Sequence, residues 1–209
     1  GRLDPLSFAA SNIGFSINSV AFTPLLAISI AASIVVGQHQ GRRDSASAAR
    51  AGWTALRIGW GYMFLAGASF LVFPGGYFGL FHSQEASYTI EQLVATGRPM
   101  MVMMAVWGMF DVANIVLSGA LKGAGDTRFV MWYMLVLGWL VWLPGEWLIF
   151  RNHGGIMTAW IWLTVYVLVL AAGFWWRWQS GRWKRFDLLE REVPVIPTRT
   201  GAEGLAVVD

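Results

Sequence analysis

The chain contains no cysteine, and that absence alone removes disulfide frameworks, thiolate chemistry and cysteine metal sites. Charge is scarce as well: Asp, Glu, Lys and Arg make up 13% of the 209 residues, against about 25% in a soluble domain. Histidine is confined to His39, His82 and His153, far apart in sequence, so no metal-ligand spacing arises. No nucleophile–base arrangement is present. The paired glycines of GQHQGRRD and KGAGDT lie at helix ends rather than after a strand, which argues for turns and against a nucleotide loop. An enzyme reading therefore has little to stand on. What the chain does have is apolar bulk: 56% hydrophobic residues, 13 Trp, 13 Phe, 24 Gly and a mean hydropathy of +0.52. Its charges gather in clusters separated by long uncharged stretches, a pattern from which no water-facing surface can be built. The composition is that of a membrane protein. A net charge of +3 and a pI near 9.6 could suggest nucleic acid. Most Lys and Arg residues flank apolar segments, however, and read as topology signals rather than a binding patch, so no nucleic-acid partner is expected.

A bilayer core of about 30 Å needs about 20 apolar helical residues at about 1.5 Å each. Five stretches qualify, at about 7–36, 54–78, 99–121, 129–150 and 153–176. Runs of this length without period-two alternation exclude a barrel, so the fold is an all-α membrane protein, a polytopic helical bundle of five transmembrane helices. The bundle occupies residues 1–186, and 187–209 reads as a polar cytoplasmic tail of disordered composition. Segment 44–57 has helical propensity and reads as the start of a short surface helix. Asp126 and Thr127 are placed to cap the helix after them. Arg42, Arg43, Arg50, Arg57, Lys122, Arg128 and the six basic residues of the tail fall on one side, against Arg2, Arg98 and Arg151 on the other. The positive-inside rule puts the first side, and the C-terminus, in the cytoplasm. Trp175, Trp176, Trp178 and Trp183 interleave with Arg and Lys where the last span ends and read as an interfacial anchor. Because the chain begins with Gly1 rather than Met, it reads as processed or as part of something longer.

Polar residues inside the spans carry the functional signal, since an ionised group at mid-membrane needs a partner, a wet cavity or a proton. Asp111 lies near the middle of the third span, and Asn114 and Ser118, three and seven residues on, share its helical face. Gly108 leaves room beside the carboxylate for a helix, an ion or a ligand. The group reads as an ion or proton site, or as a hydrogen bond between helices; a neutral Asn would serve the second role equally well, which favours the first. Asn12, Ser16, Ser19 and Thr23 form a second polar face, suited either to a solvated cavity or to helix packing. Pro24 on the same span is expected to kink it. Met100, Met101, Met103, Met104 and Met109 suit a wall that accepts varied apolar ligands, with Met104 facing the substrate, although a Met-rich core face is the commoner arrangement. Glu146 either snorkels to the headgroups or lines an outer vestibule, the first being favoured.

SIVVGQHQGRRDSASAAR resembles the helix end and cytoplasmic loop of the multidrug and toxic compound extrusion (MATE) family. FDVANIVLSGALKGAGDTR resembles that family's Asp-bearing helix and the Gly-Ala-Leu-Arg/Lys-Gly turn after it, and GLFHSQEAS, LVWLPGEW and the 154–160 stretch follow in the expected order. The resemblance covers 6–176. It implies a partial C-terminal lobe, lacking its first helix, of a twelve-helix transporter in a bacterial inner (plasma) membrane. That transporter would exchange a cation, Na⁺ or H⁺, for an organic, cationic amphipathic compound by alternating access. Asp111 then matches the coupling-ion carboxylate of one branch, with no cofactor and no metal beyond Na⁺ at Asp111. The partners are the bilayer, the small organic substrate and an N-terminal lobe, in the same or a second chain. Two rivals remain, a flippase of related fold for lipid or polysaccharide precursors and a non-transporting membrane scaffold. Basic residues facing a central cavity would favour the flippase, and the spans read here hold none beyond Arg57, just inside the second.

Overall fold

The computed structural model describes residues 5–81 and 89–186, and every regular element among them is helical. The reading of 187–209 as a tail, and the loop around His82, lie outside the described residues. Helix α1 (Pro5–Gly41) is long, apolar and continuous through Pro24, whose missing N–H leaves the Val20 carbonyl without its usual i+4 donor. A three-residue turn with Arg43 at φ 59° reverses the chain into α2 (Ser45–Val72). Asp44 starts α2, its Oδ1 accepting the Ser47 N–H at 2.9 Å. The Ser47 hydroxyl and backbone N–H, with Arg50 and His39 close by, hold this exposed carboxyl below its ordinary value.

The second span therefore differs from its expected limits. Segment 44–57 is no separate surface helix but the first turns of α2, because the Asp44 cap sets the start nine residues before Thr54. The same helix stops at Val72. Proline disfavours helical geometry in the residue before it, and Phe73 leaves the helix at φ −123° so that Pro74 can open a short helix, α3 (Pro74–Phe81). The third span likewise starts early. Thr89 and Gln92 form a reciprocal capping box that opens α4 (Ile90–Gly123), so Pro99 lies inside the helix rather than at its first turn.

The fourth span is α5 (Thr127–Leu137), a π-helical turn at Gly138–Trp142, and α6 (Leu143–Arg151). Pro144 cannot donate to a carbonyl one turn back, and the widened turn precedes it, with the Leu143 N–H on the Gly138 carbonyl. Helix α7 (Ile156–Gln179) completes the bundle, followed by Gly181 at φ 64° and one 3₁₀ turn at Arg182–Arg185. Gln40 fixes that turn to the end of α1, its Nε2 donating to the carbonyls of Lys184 (3.2 Å) and Phe186 (2.9 Å).

Helix α4 is the axis of the molecule. Its apolar window is 56% buried, whereas that of the fourth span is 0% buried. Helices α1 and α4 run parallel at close range, because Ser11 meets Met100 at one end and Ser33 meets Gly123 at the other. Small residues allow this approach: any side chain at Gly119 would strike Ser29, and one at Gly123 would strike the Ser33 carbonyl. The Ser29 hydroxyl donates to the Ile115 carbonyl at 2.8 Å across the same seam. Apolar side chains cover the outside, among them Val20, Phe64, Leu80 and Phe150, each at least 65% exposed. Water would not tolerate that surface and acyl chains would. Among the described residues, five helical segments, α5 to α6 counted as one, are long and apolar enough to cross a membrane.

Candidate functional site

The core divides into two clusters, and α4 passes through both. On α4, one cluster ends at Trp107 and the other begins at Val112. Asp111 sits at that junction, 6% exposed, far from either helix end. Its Oδ1 accepts a 2.9 Å bond from Asn114 Nδ2, a partner on its own helix, and among the described residues no neighbouring helix donates to the carboxylate. Ser118 shares the face but not the contact, since its hydroxyl donates to the Ile115 carbonyl at 3.0 Å. Asp111 and Asn114 thus form a pair, and Ser118 stands a turn away. The space beside Gly108 goes to a neighbouring helix: the end of Met63 on α2 occupies the place of a side chain there. Trp60 on α2 also reaches α4, donating Nε1 to the Met109 carbonyl at 2.9 Å.

The second polar face is displayed outward. Asn12, Ser16, Ser19 and Thr23 are all exposed on α1, away from α4. Their hydroxyls bond back along the helix, Ser16 to Asn12, Ser19 to Phe15 and Thr23 to Ser19, at 3.0, 2.9 and 3.2 Å. Met104 does not share this surface; it is fully buried between α1 and α4, its Cε 3.3 Å from where a Cβ would stand on Gly14. Met100 and Met101 are buried too, so much of the methionine cluster is core.

Two inward residues went unread in the sequence. Asn18, 8% exposed, has an Oδ1 without a partner, and Trp107, 5% exposed, has an unpartnered Nε1. The sequence signal for Asn18 was only spacing: Ser11, Asn18, Leu25 and Ala32 recur every seven residues, and their burial marks this as the stripe by which α1 follows α4.

Two expectations change at the basic end of the bundle. Asp126 stands at the N-cap position of α5 but makes no capping bond. Buried at 2% exposure, its carboxylate takes the charged donor instead, Arg177 Nε at 2.6 Å. The tryptophans there are only partly an interfacial anchor. Trp178 and Trp183 are buried and stacked at 4.3 Å, and Trp175 packs on Trp53 and Trp60. Trp176 alone of the four is exposed, with Arg182 over its ring. Glu146 is half-buried on α6, beside the Gly145 backbone that Trp162 covers. Among the described residues no three His, Cys, Asp or Glu side chains gather as a metal cluster.

Comparison with known proteins agrees with this architecture. The family model MatE matches residues 1–148. The "Multidrug resistance protein NorM" of Burkholderia vietnamiensis is 33% identical over 164 residues, which cover 78% of this chain and 35% of that protein. "Probable multidrug resistance protein NorM" of Mesorhizobium japonicum is 32% identical over 181 residues, 85% of this chain and 38% of its own. The protein of that name from Brucella suis is 30% identical over 182 residues, 86% of this chain and again 38% of its own. The chain thus spans well under half the length of these relatives. A five-span helical bundle, an intramembrane carboxylate on its central helix and a family match over most of its length lead to one assignment: the chain belongs to the MatE family, the multidrug and toxic compound extrusion proteins, which are membrane transporters and not enzymes.

Proposed function

We propose that this chain forms part of a cation-coupled antiporter that exports organic, cationic amphipathic compounds, with Asp111 carrying the coupling Na⁺ or proton. One observation carries the reading. Asp111 is nine-tenths buried at the junction of two packing clusters, and its hydrogen-bond donor belongs to its own helix. A carboxylate so placed is costly while charged and much less so once a cation or proton neutralises it. Occupancy therefore changes the relative stability of two packings of α4, and a ligand shifts such an equilibrium only through a differential of this kind. Asn114 positions the carboxylate, and Ser118 lies on the route along the same face. The outward face of Asn12, Ser16, Ser19 and Thr23 is the part of α1 offered to a substrate cavity, which in two-lobed transporters lies between the halves. The MatE match and the names of the relatives support export of drug-like compounds. The basic end of the bundle then faces the cytoplasm of a bacterial cell, C-terminus included.

The test is Asp111→Asn in the full-length protein, with efflux of a cationic dye followed under imposed Na⁺ and pH gradients. Coupled efflux should fall at least about tenfold with expression and melting temperature unchanged, the size expected when a unique charged site is neutralised. Full coupled efflux in this variant would sink the proposal and leave the scaffold reading. Whichever gradient drives the parent protein identifies the ion.

A further inference from the structure

Between them, α1 and α2 leave a groove of about 480 Å³, lined by neither Asp111 nor Asn114 and within the range of about 300–1,000 Å³ typical of small-molecule sites. Its walls are Ile28, Ala32 and Val35 on α1 and Ala51, Ala55 and Ile58 on α2. Charge is confined to one end, where His39, Ser47 and Arg50 line the mouth, and Thr54 is the polar side chain one turn deeper. Arg50 Nη2 donates to Ser47 Oγ at 2.7 Å, which fixes the guanidinium there. Arg42 and Arg43 lie in the adjoining turn; the Asp44 carboxylate, which accepts the Ser47 N–H and has Arg50 and His39 near it, does not itself line the groove, so the basic groups outnumber the one acid at this end.

The dimensions match one leaflet. From His39 to Ile28 the groove follows α1 for about 16 Å at about 1.5 Å per residue, and half of a bilayer core is about 15 Å. Val35 and Ile58 are exposed, so the apolar part opens sideways toward acyl chains rather than toward water. A cationic mouth above a dry slot one leaflet deep fits a molecule with an anionic head and a hydrocarbon tail. We propose that the α1–α2 groove binds one anionic phospholipid of the leaflet on the basic side. Its phosphate rests against Arg50, Ser47 and His39, and one acyl chain lies along the alanines of both helices. The site is independent of the coupling role of Asp111.

The experiment is native mass spectrometry of the full-length protein presented with equal phosphatidylglycerol and phosphatidylcholine. The parent protein should retain phosphatidylglycerol at least about fivefold over phosphatidylcholine, and Arg50→Gln should bring the two close to parity. Ala51→Phe fills the slot without touching a charge and should abolish retention of either lipid at this site, with Ala55→Phe as a second filler should the first fail to fold. Equal retention of both lipids by the parent protein would overturn the proposal. So would undiminished phosphatidylglycerol in a folded slot-filling variant, the result expected of a diffuse basic surface. Absence of any retained lipid, as when another part of the protein covers the groove, would overturn it too.

Discussion

Glycines that look alike in the sequence have very different surroundings, and that fixes what each substitution does. A methyl group at Gly123 meets the Ser33 backbone, which cannot yield without moving α1. Gly123→Ala should therefore destabilise the protein by about 1–3 kcal/mol, the usual cost of overpacking, visible as a lower melting temperature in detergent. Gly41→Ala, where nothing lies within 4 Å, should leave that temperature unchanged or slightly raised. Gly108→Ala falls between, because its obstacle is only the flexible end of Met63. Asn18 gives a second residue-scale test. Its Oδ1 is buried without a partner, so Asn18→Leu should stabilise the fold by about 1 kcal/mol while removing a polar group one helix away from Asp111. A drop in melting temperature instead would show that the amide has a partner in the membrane-embedded protein. None of this was legible in composition, since the sequence records a glycine or an asparagine without saying what stands opposite.

At the level of elements, helix ends were less predictable than helix existence, and the reasons are local and identifiable. Thr89 and Gln92, not Pro99, open α4; Phe73 and Pro74 divide what reads as one span at 54–78. The Asp126–Arg177 pair joins the start of α5 to the end of α7, and Arg177 also lies 4.6 Å from the Phe129 ring centroid. Asp126→Asn leaves Arg177, 15% exposed, without its counter-charge. The loss should be about 3 kcal/mol, and Asp126→Asn combined with Arg177→Gln should recover much of it; equal melting temperatures for the single and double variants would refute a coupled pair. At the start of α2 the Asp44 carboxyl is held below its ordinary value, so its cap is fully formed above that value and is lost as pH falls through the lowered one. The protection of the Ser47 amide, exchange measured against its intrinsic rate at each pH, should accordingly be flat around neutrality and fall only under acid conditions, whereas Asp44→Ala should lower it wherever the carboxyl is ionised.

For the whole molecule, the arrangement of α1, α2 and α7 around α4 makes Asp111 the centre of a bundle rather than a residue on one span among five. The outward polar face of α1 and the 35–38% coverage of the NorM relatives carry one further expectation. Residues 1–209 alone, reconstituted in liposomes, should insert and fold but give no dye efflux above that of empty vesicles, while the full-length protein transports. Efflux by the isolated chain would relocate the substrate path to within these five helices.

Sequence by itself determined the membrane environment, the number and rough position of the spans, and Asp111 as the residue to watch. Each follows from how long a stretch runs without charge and from the high cost of an acid near the middle of one. It could not decide which polar stripe of α1 turns inward, because both stripes have helical spacing and only contact with α4 separates Ser11, Asn18 and Ser29 from Asn12, Ser16, Ser19 and Thr23. Nor could it show that Asp126 would abandon its cap for Arg177, a choice that exists only once α7 returns beside α5. Burial against a particular neighbour is a property of pairs of helices, and a linear pattern specifies only one member of each pair.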